Sequence, residues 1–130
     1  MKSIKRTNQK RARRVNRVRA TITGTAERPR LTVHRTNRFV YVQLIDDTAG
    51  RTIAAAHSAP AKGKKGATKA TAHASTKMKK SDAAFAVGEQ LAKKAVEKNI
   101  TAAVFDRRSY KFHGRIKSVA EGAKKGGLKI

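Results

Sequence analysis

Arginine is the side chain with the most chemistry to offer in this chain, because its planar guanidinium binds phosphate in a fork and stacks on bases. Lys5, Arg6, Lys10, Arg11, Arg13, Arg14, Arg17 and Arg19 crowd the start, and residues 1–25 contain no acid at all. Arg28, Arg30, Arg35 and Arg38 then surround the stretch RPRLTVHRTNRFVYVQLIDD, opposed only by Glu27 and the terminal Asp46-Asp47. A third group, Arg107, Arg108, Tyr110, His113, Arg115 and Lys117, lies near the C-terminus. Across 130 residues, 32 Lys and Arg face 8 Asp and Glu, a net charge of +24 with an isoelectric point near 11.5. Such a charge repels itself, and the partner that resolves the repulsion is nucleic acid, whose phosphates carry the counter-charge.

Aromatic residues are interleaved with these cations. His34, Phe39 and Tyr41 can stack on unpaired bases of a bulge or loop, with Gln43 on the same side. Each such stack is worth roughly 1–3 kcal/mol. Phe39 has an equal alternative in packing against the N-terminal helix. For His113 a hydrogen-bonded structural role competes evenly with RNA contact. Arg115 and Lys117 are two apart and do not face each other on a helix, yet both can reach phosphates near its positive N-terminus.

Other chemistry is poorly provided for. A metal-dependent nuclease needs several convergent carboxylates, whereas Asp46 and Asp47 sit in a turn and Asp106 is followed by two arginines. His34, His57, His73 and His113 lack metal-ligand spacing, and there is no glycine-rich phosphate cradle or nucleophile–base pair. No catalytic residue, metal, cofactor or small-molecule substrate is therefore expected. Absence of Cys excludes disulfides and thiolate sites. No apolar run nears the ~20 residues that span a bilayer, and no apolar segment of a secretory signal follows the basic start. The expectation is an intracellular protein without membrane contact. An organelle transit peptide is also Arg-rich and acid-poor, but here the basic character continues through the body of the chain.

The elements that must position these residues follow from hydrophobic period. The length suits a single α/β domain over 26–130, preceded by a basic arm or helix over 1–25. Val15, Val18 and Ile22 recur at helical spacing, which predicts a helix over 7–21, frayed by its like charges until phosphate neutralises them. Strict alternation predicts strands over 30–35 and 39–46 joined by a turn at Thr36-Asn37. Leu31, Val33, Val40, Val42 and Leu44 fall on the dry face, and Thr32, His34, Thr36, Phe39, Tyr41 and Gln43 on the other. A third strand over 51–57 should turn Ile53 and Ala55 inward. Residues 60–80, almost wholly Ala, Lys, Gly, Thr and Ser, read as a flexible lysine-rich insertion. Ser81 suits the N-cap of a helix to about 98, with Ala84, Val87, Gly88, Leu91 and Ala95 inward. Asn99 tolerates the left-handed residue beyond its end. The apolar run 100–105 predicts a strand buried on both faces. A loop, DRRSYKFHG, leads to a last helix over 114–125 with Ile116, Val119, Ala120 and Ala123 inward, terminated by Gly126-Gly127.

Taken together, RPRLTVHRTNRFVYVQLIDD, AFAVGEQLAKKAVEKNI and VFDRRSYKFHGRIKSVAEGAKKGGLKI resemble the bacterial form of large-ribosomal-subunit protein eighteen, over all but residues 60–80. The resemblance implies a mixed four-stranded sheet of ribonuclease-H-like topology, strand order 3-2-1-4, with helices packed on it. It implies a structural, cytoplasmic ribosomal protein that binds 5S rRNA and helps attach it to 23S rRNA. Its setting would be the central protuberance, beside ribosomal protein five and other proteins there. Residues 1–19 fit the family's basic arm. The lysine-rich insertion departs from the family pattern, as does Arg107-Arg108-Ser109, where a Gly commonly precedes the aromatic. A general nucleic-acid-condensing protein is the alternative; it explains the charge but not the hairpin or the C-terminal block.

Overall fold

A computed structural model describes residues 2–59 and 78–130, so all but the last three positions of the expected insertion at 60–80 lie outside the described residues. The elements are α1 (Lys2–Arg19), β1 (Arg30–Arg35), β2 (Val40–Asp46), β3 (Arg51–His57), α2 (Lys80–Val96), β4 (Val104–Asp106) and α3 (Arg115–Lys125). One mixed sheet has the order β3-β2-β1-β4. β1 and β2 are antiparallel, with Leu31 opposite Leu44, Val33 opposite Val42 and His34 opposite Tyr41. β4 joins β1 in parallel, placing Thr32 opposite Asp106. The α/β class and strand order agree with expectation.

Alternation along the hairpin decides which face is dry. Leu31, Val33, Val40, Val42 and Leu44 are buried together with Val87, Leu91 and Ala95 of α2 and Ile116, Val119 and Ala123 of α3. Each large side chain fully buried in this way contributes about 1.5–3 kcal/mol. Both helices thus cover one face of the sheet, and the opposite face stays open.

Four local expectations are corrected. In β3 it is Ala54 and Ala56 that are buried, while Ala55 is exposed and Ile53 half-buried. The cause is an irregular register: Leu44 pairs with Ala54 but Ile45 pairs with Thr52, so Ile53 is an extra residue that shifts the strand's phase. α2 opens at Lys80 after Lys79, with no side-chain cap, so Ser81 lies in the first turn. The strand expected over 100–105 contracts to Val104–Asp106, with Val104 and Phe105 only half-buried. Pro29, just before β1, has no N–H to extend a parallel ladder, although its carbonyl accepts from the Val104 N–H at 2.9 Å. Residues 101–103 bond the C-terminal tail instead: the Lys129 N–H donates to Thr101 and the Ala103 N–H to the Lys129 carbonyl. Finally, α1 begins at Lys2 and ends at Arg19 rather than covering 7–21. Arg, Lys and Gln are good helix formers, which favours the extra turn. At the far end of α2, Asn99 adopts the expected left-handed φ of 60°.

α2 and α3 approach closely because glycines stand where they cross. A Cβ at Gly88 would enter the Val119 carbonyl, and one at Gly122 would enter the Phe85 carbonyl. Backbone cannot yield as a side-chain tip can, so overpacking here should reach the upper end of its usual cost. Gly122→Ala is expected to lose about 3 kcal/mol of unfolding free energy, read as a lowered urea midpoint. An unchanged midpoint would show that the helices separate freely.

Candidate nucleic-acid interface

The open face is built from the outward residues of three adjacent strands. Thr32 and His34 of β1, Tyr41 and Gln43 of β2, and Ala55 and His57 of β3 meet there by register. Three rings form a row: His34 and Tyr41 are 6.3 Å apart and Tyr41 and His57 5.8 Å apart, centre to centre. All three residues are exposed, and such rings are the side chains on which unpaired bases stack. His57 was not anticipated as part of this face; its place depends on the β2–β3 register, which the bulge sets.

Arg30 plays a different part from its open-face neighbours. It is 8 % exposed. Its Nε and Nη2 donate to Asp47 at 2.9 and 2.8 Å, and its Nη1 donates to Asp106 at 2.7 Å. Asp106 is fully buried, also accepts from the Arg108 backbone N–H at 2.8 Å, and is reached by Arg19 of α1 at 3.4 Å. Asp47 further accepts the Gly24 N–H at 2.8 Å. Expected among the phosphate ligands, Arg30 is instead enclosed between two carboxylates, which take all three of its bonding nitrogens. The two Arg30 pairings join residues 17 and 76 apart in sequence, and strand pairing brings them together.

The loop after β4 is fastened to the hairpin. Tyr110 Oη accepts the Arg35 N–H and donates to the Arg35 carbonyl, both at 3.2 Å, and the Arg35 guanidinium lies 5.3 Å from the Tyr110 ring centre. Arg115 Nη1 donates to the Thr36 carbonyl at 3.0 Å. Burial, and then the neighbouring Arg35 charge, lower the pKa of Arg115. Arg107 Nη1 donates to the Tyr110 carbonyl at 2.6 Å. Arg108 reaches the other way, its Nη1 lying 3.0 Å from His34 Nδ1. Arg35, Tyr110 and Arg115 therefore form one cluster, and His34, Tyr41, Gln43 and Arg108 another. Phe39 is half-buried in the turn, where its N–H donates to Thr36 Oγ1 at 2.9 Å.

The remaining expected ligands are free at the surface. Lys5, Arg6, Lys10, Arg11, Arg13, Arg14 and Arg17 are all exposed along α1, and Arg28, Arg38, His113 and Lys117 are exposed elsewhere. Lys117 faces Glu121 at a loose 3.8 Å, a surface pair of little energetic weight. Among the described residues no cluster of three or more His, Asp or Glu could hold a metal ion, and no helix is long and apolar enough to cross a membrane.

The Arg30 hydrogen bonds, aided by the Gly24 N–H, hold Asp47 down from 3.8 to about 2. A carboxylate whose folded pKa lies below its unfolded value adds stability above the unfolded pKa and loses it as pH falls through the folded one. Asp46 is shifted the same way, chiefly by the Thr48 hydroxyl. The melting temperature should therefore drop as pH is lowered from 3.8 toward about 2, and Asp47→Asn should flatten part of that drop. Superimposable profiles for the two proteins would refute the assignment.

Residues 5–130 match the family model described as ribosomal L18 of archaea, bacteria, mitochondria and chloroplasts. The chain is 50 % identical to the large ribosomal subunit protein uL18 of Lysinibacillus sphaericus over 95 % of its own length and 94 % of the relative's. It is 49 % identical to the uL18 protein of Chloroherpeton thalassium, over 93 % of each chain. The uL18 protein of Kosmotoga olearia is 47 % identical, over 98 % of this chain and 99 % of that one.

Proposed function

This chain belongs to the ribosomal L18 family, and from that premise we propose that its basic helix and open sheet face bind 5S rRNA. As a member of the family it is a structural constituent of the large ribosomal subunit in the cytoplasm, not an enzyme. In the proposed role it helps attach 5S to 23S rRNA in the central protuberance, beside ribosomal protein five and its neighbours there.

The observation that carries the reading is the distribution of charge on α1. Seven cations from Lys5 to Arg17 are exposed, the first turn has no acid, and Arg19 ties the C-terminal end to buried Asp106. A helix held at one end with its cations free is suited to run along a phosphate groove, where each neutralised phosphate releases counterions. The open face then supplies what charge alone does not. His34, Tyr41, Gln43 and Arg108 offer stacking surfaces and hydrogen-bonding groups for bases. Arg35, Arg38, Arg115 and Lys117 add phosphate contacts at the hairpin turn and the start of α3.

Labelled 5S rRNA should stay bound in near-physiological salt under excess tRNA, because recognition includes shape and bases. Displacement by tRNA at comparable concentration would favour a general nucleic-acid-condensing role instead. Arg11→Ala and Arg14→Ala should each weaken 5S binding and lower the slope of log affinity against log salt by about 1. Unchanged affinity and slope in both would exclude α1 as an RNA ligand.

A further inference from the structure

On the open face, between β1, β2 and the loop after β4, Thr32, His34, Tyr41, Gln43 and Arg108 line a concavity of about 460 Å³. At its floor Thr32 is only 9 % exposed, and its Oγ1 is buried without any hydrogen-bond partner. Buried hydroxyls are normally paired. Thr32 lies on a strand flanked by β2 and β4, which leaves it no freedom to seek a partner elsewhere. Asp106, its register partner on β4, already holds Arg30, Arg19 and the Arg108 N–H. The unpaired hydroxyl is therefore available to something that enters from the open side.

The walls define what that is. His34 and Tyr41 present rings tilted by 40°, Gln43 carries an amide with both donor and acceptor, and Arg108 brings a planar guanidinium to the rim beside His34. No carboxylate lines the space. Arg108 is fixed there by an unusual backbone, φ 55° in a residue with a side chain, held by the bond from its N–H to Asp106. A phosphate would use the donors of this lining but leave the ring faces and the Gln43 carbonyl unused. A flat heterocycle with a polar edge would use every wall: ring faces for stacking, the Gln43 amide and Thr32 hydroxyl for its edge, and Arg108 as a lid.

We propose that this concavity is the pocket for a single unstacked nucleobase of the rRNA, with Thr32 as the buried hydrogen-bonding residue that reads its edge. The proposal rests on the RNA-binding role given above and assigns that role a base-specific site.

Thr32→Val tests it, because the substitution keeps shape and charge and removes only the hydroxyl. In the free protein the melting temperature should hold or rise, since nothing was paired with that oxygen. Affinity for 5S rRNA should fall about fivefold to tenfold, the scale of one lost hydrogen bond, with an unchanged salt slope because no phosphate contact is lost. Thr32→Ser should restore most of the affinity. Exposed Gln43, changed to Leu, should give a comparable loss and serves as the second variant if Thr32→Val unfolds. Undiminished 5S affinity in these variants, with the wild-type chain still selecting 5S over tRNA, overturns the base pocket and leaves the RNA-binding role intact. Failure of the wild-type chain to select 5S over tRNA overturns both.

Discussion

Arg30 between Asp47 and Asp106 is the interaction on which the rest of this architecture leans. A guanidinium buried to this degree would be costly without compensation, and two carboxylates placed on its three bonding nitrogens provide that compensation. Pairs of this kind are better at fixing geometry than at adding net stability. Here the geometry fixed is considerable. Asp47 follows β2 and also holds the loop at Gly24; Asp106 ends β4, anchors Arg108 and receives Arg19 from α1. One arginine on a central strand thus sets the positions of the hairpin end, the edge strand, the loop after it and the root of the basic helix. In a chain with only 8 acids against 32 bases, the placement of two of them on this arginine is the most informative choice the acids make.

The cations consequently divide into two populations. Arg30 and Arg107 are bonded to carboxylates or a backbone carbonyl and shape the domain, and Arg115 spends only Nη1 on the Thr36 carbonyl. Lys94 of α2 and Lys98 just beyond its end do related work at the sheet edge, where their ammonium groups donate to the carbonyls of Ala55 and Ile53. Charged side chains covering an edge strand oppose unwanted pairing with another chain. The α1 cations from Lys5 to Arg17 are exposed and have no such partner among the described residues. Their mutual repulsion remains as an electrostatic driving force for a polyanion, and it acts on the part of the molecule joined to the sheet through Arg19.

How far these features are legible in the sequence depends on the range of the interaction that creates them. The hairpin faces are legible because polarity alternates along residues 30–34 of β1 and 40–44 of β2. β3 is not, since Ala54-Ala55-Ala56 carries no contrast and the bulge at Ile53 shifts the phase without a local marker. The short β4 is a consequence of Pro29 on a different segment, and apolar composition alone overstates its length. Strand order came from family resemblance rather than from period. Arg30 looked like its neighbours Arg28 and Arg35 because its carboxylate partners lie 17 and 76 residues away. Thr32 gave no signal at all: a threonine alternating out of the core is ordinary until the loop after β4 brings Arg108 to the same concavity.

The glycines between α2 and α3 and the bare sheet face belong to one solution. Gly88 and Gly122 let the two helices pack almost backbone to backbone, so both fit over a four-stranded sheet on a single side. Among the described residues no third layer covers the other side, and a mostly antiparallel sheet tolerates that exposure where its outward residues are polar. The weak point is β4, since parallel strands are ordinarily covered on both faces. There the outward position is Asp106, sealed by Arg30, and the loop that continues from it carries Arg108 to the rim of the concavity that Thr32 lines. The seal needed to keep the parallel edge dry is therefore the same structure that forms the rim of the concavity, which places the proposed base pocket at the one point of the open face that the fold must enclose.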